Sequence, residues 1–257
     1  MPFLKEKILE LDSMKSYPKE LFYAGNLDLL KKTKISIIGS RKPSKYSREM
    51  TQRLALALSK SGTCVVSGGA MGIDAIAHLG AGAANTISVL PCGINIKYPA
   101  VNKNLLTEIE NKGLLLSQFE EDFIAKPWSF VVRNELVVAL GEVLVVSEAE
   151  LKSGSMRSVE FALKMGKEIY VLPQRLGESN ATNKLLQEGK AKAIYDIDAF
   201  VAQFSSQEKI EIKKDEFTLF CETNPSYEEL LAKFPSRVFE AELNGEIEIR
   251  NAKVFLL

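Results

Sequence analysis

The chain is 257 residues long, 46% hydrophobic and 26% charged, a globular composition with enough apolar material for one sizeable core and a smaller one. Its 33 Lys and Arg balance 33 Asp and Glu, so no overall positive field draws it onto nucleic acid, and any polyanion binding must rest on a local basic patch. The balance is uneven: residues 205–257 carry seven basic and eleven acidic side chains, net −4, which leaves the body net +4.

Met1–Lys7 carries charge and no apolar stretch of signal-peptide length, and no run of about 18 apolar residues follows, which argues against secretion and membrane spanning. Cys64, Cys92 and Cys221 lack C-x-x-C spacing and fit reduced thiols in the cytosol. A single histidine, His78, follows Ile73-Asp74-Ala75-Ile76-Ala77, which excludes a His-based zinc site or a Ser-His-Asp triad built from several candidates; it is expected to pack or cap.

In chain order, short apolar β-branched runs alternate with amphipathic stretches. The runs are Ile35–Ile38, Cys64–Val66, Ile87–Leu90, Leu114–Leu116, Val143–Val146 and Ile169–Leu172, which read as buried strands. Helices are expected at about 46–60, 72–82, 101–111, 131–140, 156–165 and 181–188. Strand and helix repeated with short connections predict an α/β fold, an extended Rossmann-like, doubly wound, mostly parallel sheet over residues 1–204. From 205 to 257 the texture changes to a polar stretch, three short helices, an Asn244-Gly245 turn and two short strands around Asn251-Ala252-Lys253. That pattern predicts a small winged-helix-like C-terminal domain.

Ligands of such sheets bind at the carboxyl ends of the strands, so the residues just after each apolar run matter most. The first run ends in Gly39-Ser40-Arg41-Lys42-Pro43, where glycine permits close backbone approach, Ser40 can donate, and Arg41 and Lys42 supply positive charge. The second ends in Ser67-Gly68-Gly69-Ala70-Met71-Gly72, free backbone N–H groups leading into a helix N-terminus, an arrangement suited to phosphate. Pro91-Cys92-Gly93 follows the third run, and the fifth leads through Lys152-Ser153-Gly154-Ser155-Met156-Arg157 into a helix. Each glycine loop taken alone reads as a tight turn; several converging on one sheet edge read as a polyanion-binding crevice. Lys126-Pro127-Trp128-Ser129-Phe130-Val131-Val132-Arg133-Asn134 sets aromatic rings among basic and amide groups. Trp128 and Phe130 read either as core residues of the next helix or as rings on which bases stack, with Phe130 the preferred candidate. No Gly-x-x-x-x-Gly-Lys-Ser/Thr or Gly-x-Gly-x-x-Gly run occurs, which disfavours ATPase and dehydrogenase chemistry.

Taken together, Ile38-Gly39-Ser40-Arg41, Ser67-Gly68-Gly69-Ala70-Met71-Gly72-Ile73-Asp74 with Ala77-His78, Leu90-x-x-Gly93 with Tyr98-Pro99, Phe130-x-x-Arg133-Asn134, Lys152-Ser153-Gly154-Ser155, Leu172-Pro173 and Asn183-x-Leu185-Leu186-x-x-Gly189 resemble the DprA/Smf family over about residues 17–200. The resemblance implies a non-enzymatic cytoplasmic homodimer that binds single-stranded DNA, protects it and helps load RecA recombinase during natural transformation, with no cofactor, no metal ion and no catalytic residue. It implies that Arg41 holds a phosphate, that Gly68, Gly69 and Ser153-Gly154-Ser155 line the pocket, and that Lys126 and Phe130 flank the strand. With the residues read above, the DNA- and phosphate-binding set is Gly39, Ser40, Arg41, Lys42, Ser67, Gly68, Gly69, Lys126, Phe130, Arg133, Asn134, Lys152, Ser153, Gly154 and Ser155. The chain departs from the family at Glu135, where a third basic residue is usual, and at Gln174, where glycine usually follows the proline; Pro127 also leaves Lys126 aligned only to within about one residue.

The competing enzyme reading is a nucleotide phosphoribohydrolase, in which Glu160 and Arg133 would act on a ribosyl bond, but its Pro-Gly-Gly-x-Gly-Thr core is absent. A third reading is an interaction protein with a vestigial pocket. The acidic tail fits contact with protein better than contact with DNA.

Overall fold

The structure, a computed structural model, describes residues 3–4, 6–205, 216–221, 223–243, 247–250 and 252–256. The chain divides into two compact units, Met1–Ser206 and Gln207–Leu257.

In the first unit the elements run β1 (Phe22–Gly25), β2 (Lys34–Ile38), α1 (Lys45–Lys60), β3 (Cys64–Ser67), α2 (Ile73–Ala81), β4 (Thr86–Leu90), α3 (Lys103–Lys112), β5 (Leu114–Ser117), α4 (Pro127–Leu140), β6 (Val143–Val146), α5 (Gly154–Lys164), β7 (Ile169–Val171), α6 (Asn180–Gln187), β8 (Lys192–Ala193) and α7 (Ile197–Ala202). The strands form one sheet in the order β1-β5-β4-β3-β2-β6-β7-β8, in which only β1 is antiparallel to its neighbour. This is the α/β Rossmann-like, mostly parallel sheet that the alternating runs predict.

Every residue of β2 to β6 is buried, because helices cover both faces and a strand with two covered faces gains from apolar residues at every position. Alternation then assigns the faces. Ile35, Ile37, Val65, Val143 and Val145 pack with Leu54 and Leu58 of α1, Ile73 and Ala77 of α2 and Phe200 of α7. Ile38, Val66, Leu144 and Val146 pack on the other face with Leu136 and Val137 of α4, Val159 of α5 and Leu185 of α6. The serines within these strands are satisfied internally where they meet a carbonyl: Ser36 Oγ donates to Val137 O at 2.6 Å and Ser117 Oγ to Cys92 O at 2.6 Å.

The two edge strands were not legible as apolar runs. β1 is partly exposed and β8 is two residues long, so neither has two covered faces to demand apolar side chains. Helix α4 begins four residues before the expected start at 131, with Pro127 at its first position, where a missing N–H costs nothing. His78 packs, as expected: it is fully buried, with Nδ1 2.7 Å from Thr86 Oγ1. All three cysteines are buried.

The second unit has α8 (Glu216–Cys221), α9 (Tyr227–Lys233), α10 (Pro235–Leu243) and the antiparallel pair β9 (Ile247–Arg250) and β10 (Lys253–Leu256). Phe217, Cys221, Leu230, Val238, Ala241, Ile247 and Val254 form its own core. Ser226 caps α9, accepting from Glu229 N at 3.2 Å while Glu229 Oε2 accepts from Ser226 N at 2.8 Å. Lys233 lies 4.5 Å from the Phe220 ring and pairs with Glu216 at 3.0 Å. The expected polar stretch after Ser205, the Asn244-Gly245 turn and Asn251 lie outside the described residues.

Candidate functional site

The chain leaves β2 and builds β3, β4 and β5 on one side, then returns to place β6 and β7 on the other, so the order of the sheet reverses at β2. A crevice of about 800 Å³ opens there, walled by the loops after β2 and β6 and the first turns of α4 and α5. Gly39, Ser40, Arg41 and Lys42 enter it from β2, Phe130, Arg133 and Asn134 from α4, and Ser153, Gly154 and Ser155 from α5. Ser155 Oγ donates to Gly39 O at 3.1 Å and ties the two loops together. The Ser153 side chain does not cap α5, and the helix N-terminus at Ser153, Gly154 and Ser155 lines the crevice.

Arg41 and Lys42 are exposed, and neither makes an ion pair among the described residues. The Arg41 guanidinium lies 5.7 Å from the centre of the Phe130 ring, which Tyr98 meets edge-on at 5.8 Å. An exposed guanidinium resting on an aromatic face keeps its donor edge free for an anion. Tyr98, Arg157 and Ser158 also line the crevice, and none of the three is among the binding residues expected from the sequence.

The glycine loop after β3 is held tightly. Asn102 Nδ2 donates to Gly69 O at 2.9 Å and Ala70 O at 3.1 Å, and Ile73 N donates to Ser40 O at 3.0 Å. Gly72 has φ +81°, and a Cβ there would overlap Ser40 O and the Arg41 backbone. Gly72→Ala is therefore expected to cost about 3 kcal/mol and lower the melting temperature of the protein by roughly 10 °C. An unchanged melting curve would show that the two loops separate freely.

Several expected site residues are placed elsewhere. Ser67 is fully buried, and its Oγ donates to Ile37 O at 2.6 Å, so no hydroxyl is left for a ligand. Arg133, expected on the phosphate track, is 4% exposed and donates from Nη1 to Gly68 O and Val89 O. It reaches the crevice only at its floor. Gly68 and Gly69 are buried, Gly68 in a small side pocket beneath Arg41. Lys126 and Lys152 are exposed beside the crevice rather than in its walls, with the Lys126 ammonium 5.7 Å from the Phe123 ring. Trp128 belongs to a separate aromatic group with Phe119 and Phe123, at 5.7 and 5.5 Å.

The family model for DNA recombination-mediator protein A matches residues 6–205, which is the first unit almost end to end. The chain belongs to that family, DprA/Smf. It is 34% identical to DNA processing protein DprA of Streptococcus pneumoniae strain R6 over 199 residues, covering 76% of this chain and 70% of that protein. Among solved structures, DNA processing protein A from Helicobacter pylori, studied for its single-stranded DNA binding mode, is 42% identical with a TM-score of 0.77, covering 79% of this chain and 94% of that one. The S. pneumoniae DprA structure is 32% identical with a TM-score of 0.74, covering 80% and 75%.

Where this DprA/Smf chain departs from the family pattern, the structure supplies local uses. Glu135 Oε1 accepts from Lys15 N at 3.0 Å and so holds the N-terminal segment. Gln174 Nε2 donates to Ser147 O at 2.9 Å and Ser47 Oγ at 3.0 Å, joining the ends of β6 and β7 to the first turn of α1. Among the described residues no group of His, Cys, Asp and Glu could hold a metal ion, and no helix is long and apolar enough to cross a membrane.

Proposed function

We propose that this protein binds single-stranded DNA along the crevice and, as a cytoplasmic homodimer, protects the strand and helps load a RecA recombinase onto it during natural transformation. The observation that carries the reading is Arg41: an exposed guanidinium on an aromatic ring, with no ion pair among the described residues, in the crevice where the sheet reverses and which the α5 N-terminus also lines. Membership of a recombination-mediator family and the single-stranded DNA binding of the H. pylori relative support it.

In this reading Arg41 and Lys42 grip phosphates, and the N–H groups at Gly154 and Ser155 take a neighbouring phosphate oxygen. Phe130 and Tyr98 offer faces to unstacked bases, while Asn134 supplies an amide. Lys126 and Lys152 lie at the two rims, where they add charge without fixing geometry. The role is non-enzymatic: Glu160, the acid that a phosphoribohydrolase would need, is exposed and paired with Arg157 at 3.0 Å.

Fluorescence anisotropy of a labelled oligothymidine, titrated at low and moderate salt, tests this. Binding is expected to weaken steeply with salt, log K falling against log salt with a slope of about −0.7 for each phosphate engaged. Salt-insensitive binding, or none, would sink the reading. Release of free base from a nucleoside monophosphate would replace it with the hydrolase.

A further inference from the structure

Helix α4 carries Phe130 and Arg133 three residues apart, one turn along the same side. Phe130 turns outward beneath the Arg41 guanidinium, and Arg133 turns inward, donating Nη1 to Gly68 O and, at 3.1 Å, to Val89 O. It therefore ties the carboxyl ends of β3 and β4 to the helix that carries the aromatic ring. Gly68 fits between Arg133 and Asp74: a Cβ there would fall on the guanidinium and 2.8 Å from Asp74 Oδ2. From Gly68 the chain runs four residues to Gly72, which presses on the Arg41 backbone, and Ile73 N bonds Ser40 O. Arg41 is thus held from two directions by one helix, its side chain resting on Phe130 and its backbone reached from Arg133 through the glycine loop. Burying a charge is costly, and an apolar side chain would pack α4 against β3 and β4 without that cost. Both bonds leave one nitrogen, Nη1, so a single donor group on a long buried stem does what an apolar chain cannot, joining carbonyls of two strands.

We infer that Arg133 is a positioning residue for Arg41: it touches no DNA, and it sets the glycine loop whose far end fixes the Arg41 backbone. The inference rests on the reading of the crevice as a single-strand DNA site. Three variants of the full chain, Arg133→Lys, Asp74→Asn and Arg41→Ala, and the double variants combining each of the first two with Arg41→Ala, are titrated with labelled oligothymidine after circular dichroism and melting curves establish folding. Arg133→Lys keeps the charge but replaces the Nη1 amino group by an ammonium on a shorter stem; Asp74→Asn keeps the shape and replaces the carboxyl flanking Gly68 by an amide.

A positioning role predicts coupling: Arg133→Lys weakens binding about fivefold or more when Arg41 is present, and by less than about twofold when it is already alanine. It also predicts that Arg133→Lys lowers the salt slope by the same step as Arg41→Ala, a readout that loss of stability alone does not move. Additive losses would overturn the inference, since Arg133 would then act on the strand independently. Wild-type affinity in a folded Arg133→Lys would overturn it too. If Arg133→Lys does not fold, Asp74→Asn is judged by the same coupling criterion; if neither folds, the pair serves the fold and the inference falls. Failure of wild-type protein to bind DNA is a separate result that removes the crevice reading itself.

Discussion

Replacing Arg41 by alanine is expected to weaken binding of single-stranded DNA about 30-fold or more while leaving the fold intact. The side chain is exposed and holds no strand or helix in place, so its removal costs the Rossmann unit little. What is lost is a charge-assisted contact to phosphate, about 1.5–3 kcal/mol, together with a cation–π contact to Phe130 of about 0.5–1 kcal/mol that orders the guanidinium beforehand. The slope of log K against log salt should fall by about one phosphate's worth. Arg41→Lys restores charge without the planar fork, so it should recover the slope and only part of the affinity. Equal affinities for wild type and Arg41→Ala at matched salt would place the strand elsewhere on the molecule.

Acid is expected to destabilise the Rossmann unit through one imidazole. Burial, assisted by the nearby Arg133 charge, pushes the His78 pKa down to about 3. In the unfolded chain it titrates near pH 6.5, so below that value the unfolded state takes up a proton that the folded state refuses. The contribution is almost absent above about pH 7 and approaches about 1.4 kcal/mol per pH unit as pH falls toward 3, or about 2 kcal/mol between pH 6.5 and 4.5. The chain has no other histidine. Asp74 acts with opposite sign: burial raises its pKa, so acid favours its folded form. Comparing urea midpoints of wild type and His78→Gln at about pH 7 and about pH 4.5 separates the two groups, because Asp74 is common to both proteins. The variant should start less stable and lose less on acidification. Parallel losses in the two proteins would contradict a buried neutral His78.

How much of this was legible beforehand depends on burial. Strands β2 to β7 announce themselves because two covered faces exclude polar side chains from nearly every position, whereas β1 and β8 lie at the edges and leave no such mark. The order of small and basic residues after the apolar runs pointed to Gly39–Lys42 and Ser153–Ser155, and the crevice brings those loops together. The direction of Arg133 was not legible. In sequence it is one more cation in a basic and aromatic stretch, and whether it meets solvent or the carbonyls of Gly68 and Val89 depends on how α4 sits over β3 and β4. Tyr98 reaches Phe130 across 32 residues of chain, a contact that no local pattern encodes.

The sequence by itself determined the alternation of strands and helices, the glycine-rich and basic strand ends, the acidic character of residues 205–257 and the membership of the DprA/Smf family. These follow from local composition and period, which the solvent and the backbone read residue by residue. The tertiary structure decided which cations are free and which are committed. Arg41 and Arg133 are the same residue type, yet one rests on an aromatic ring in solvent and the other is locked beneath the glycine loop. That difference arises only when α4 crosses the ends of β3 and β4, because burial and the availability of a hydrogen-bond donor are properties of packed surfaces and not of side chains alone.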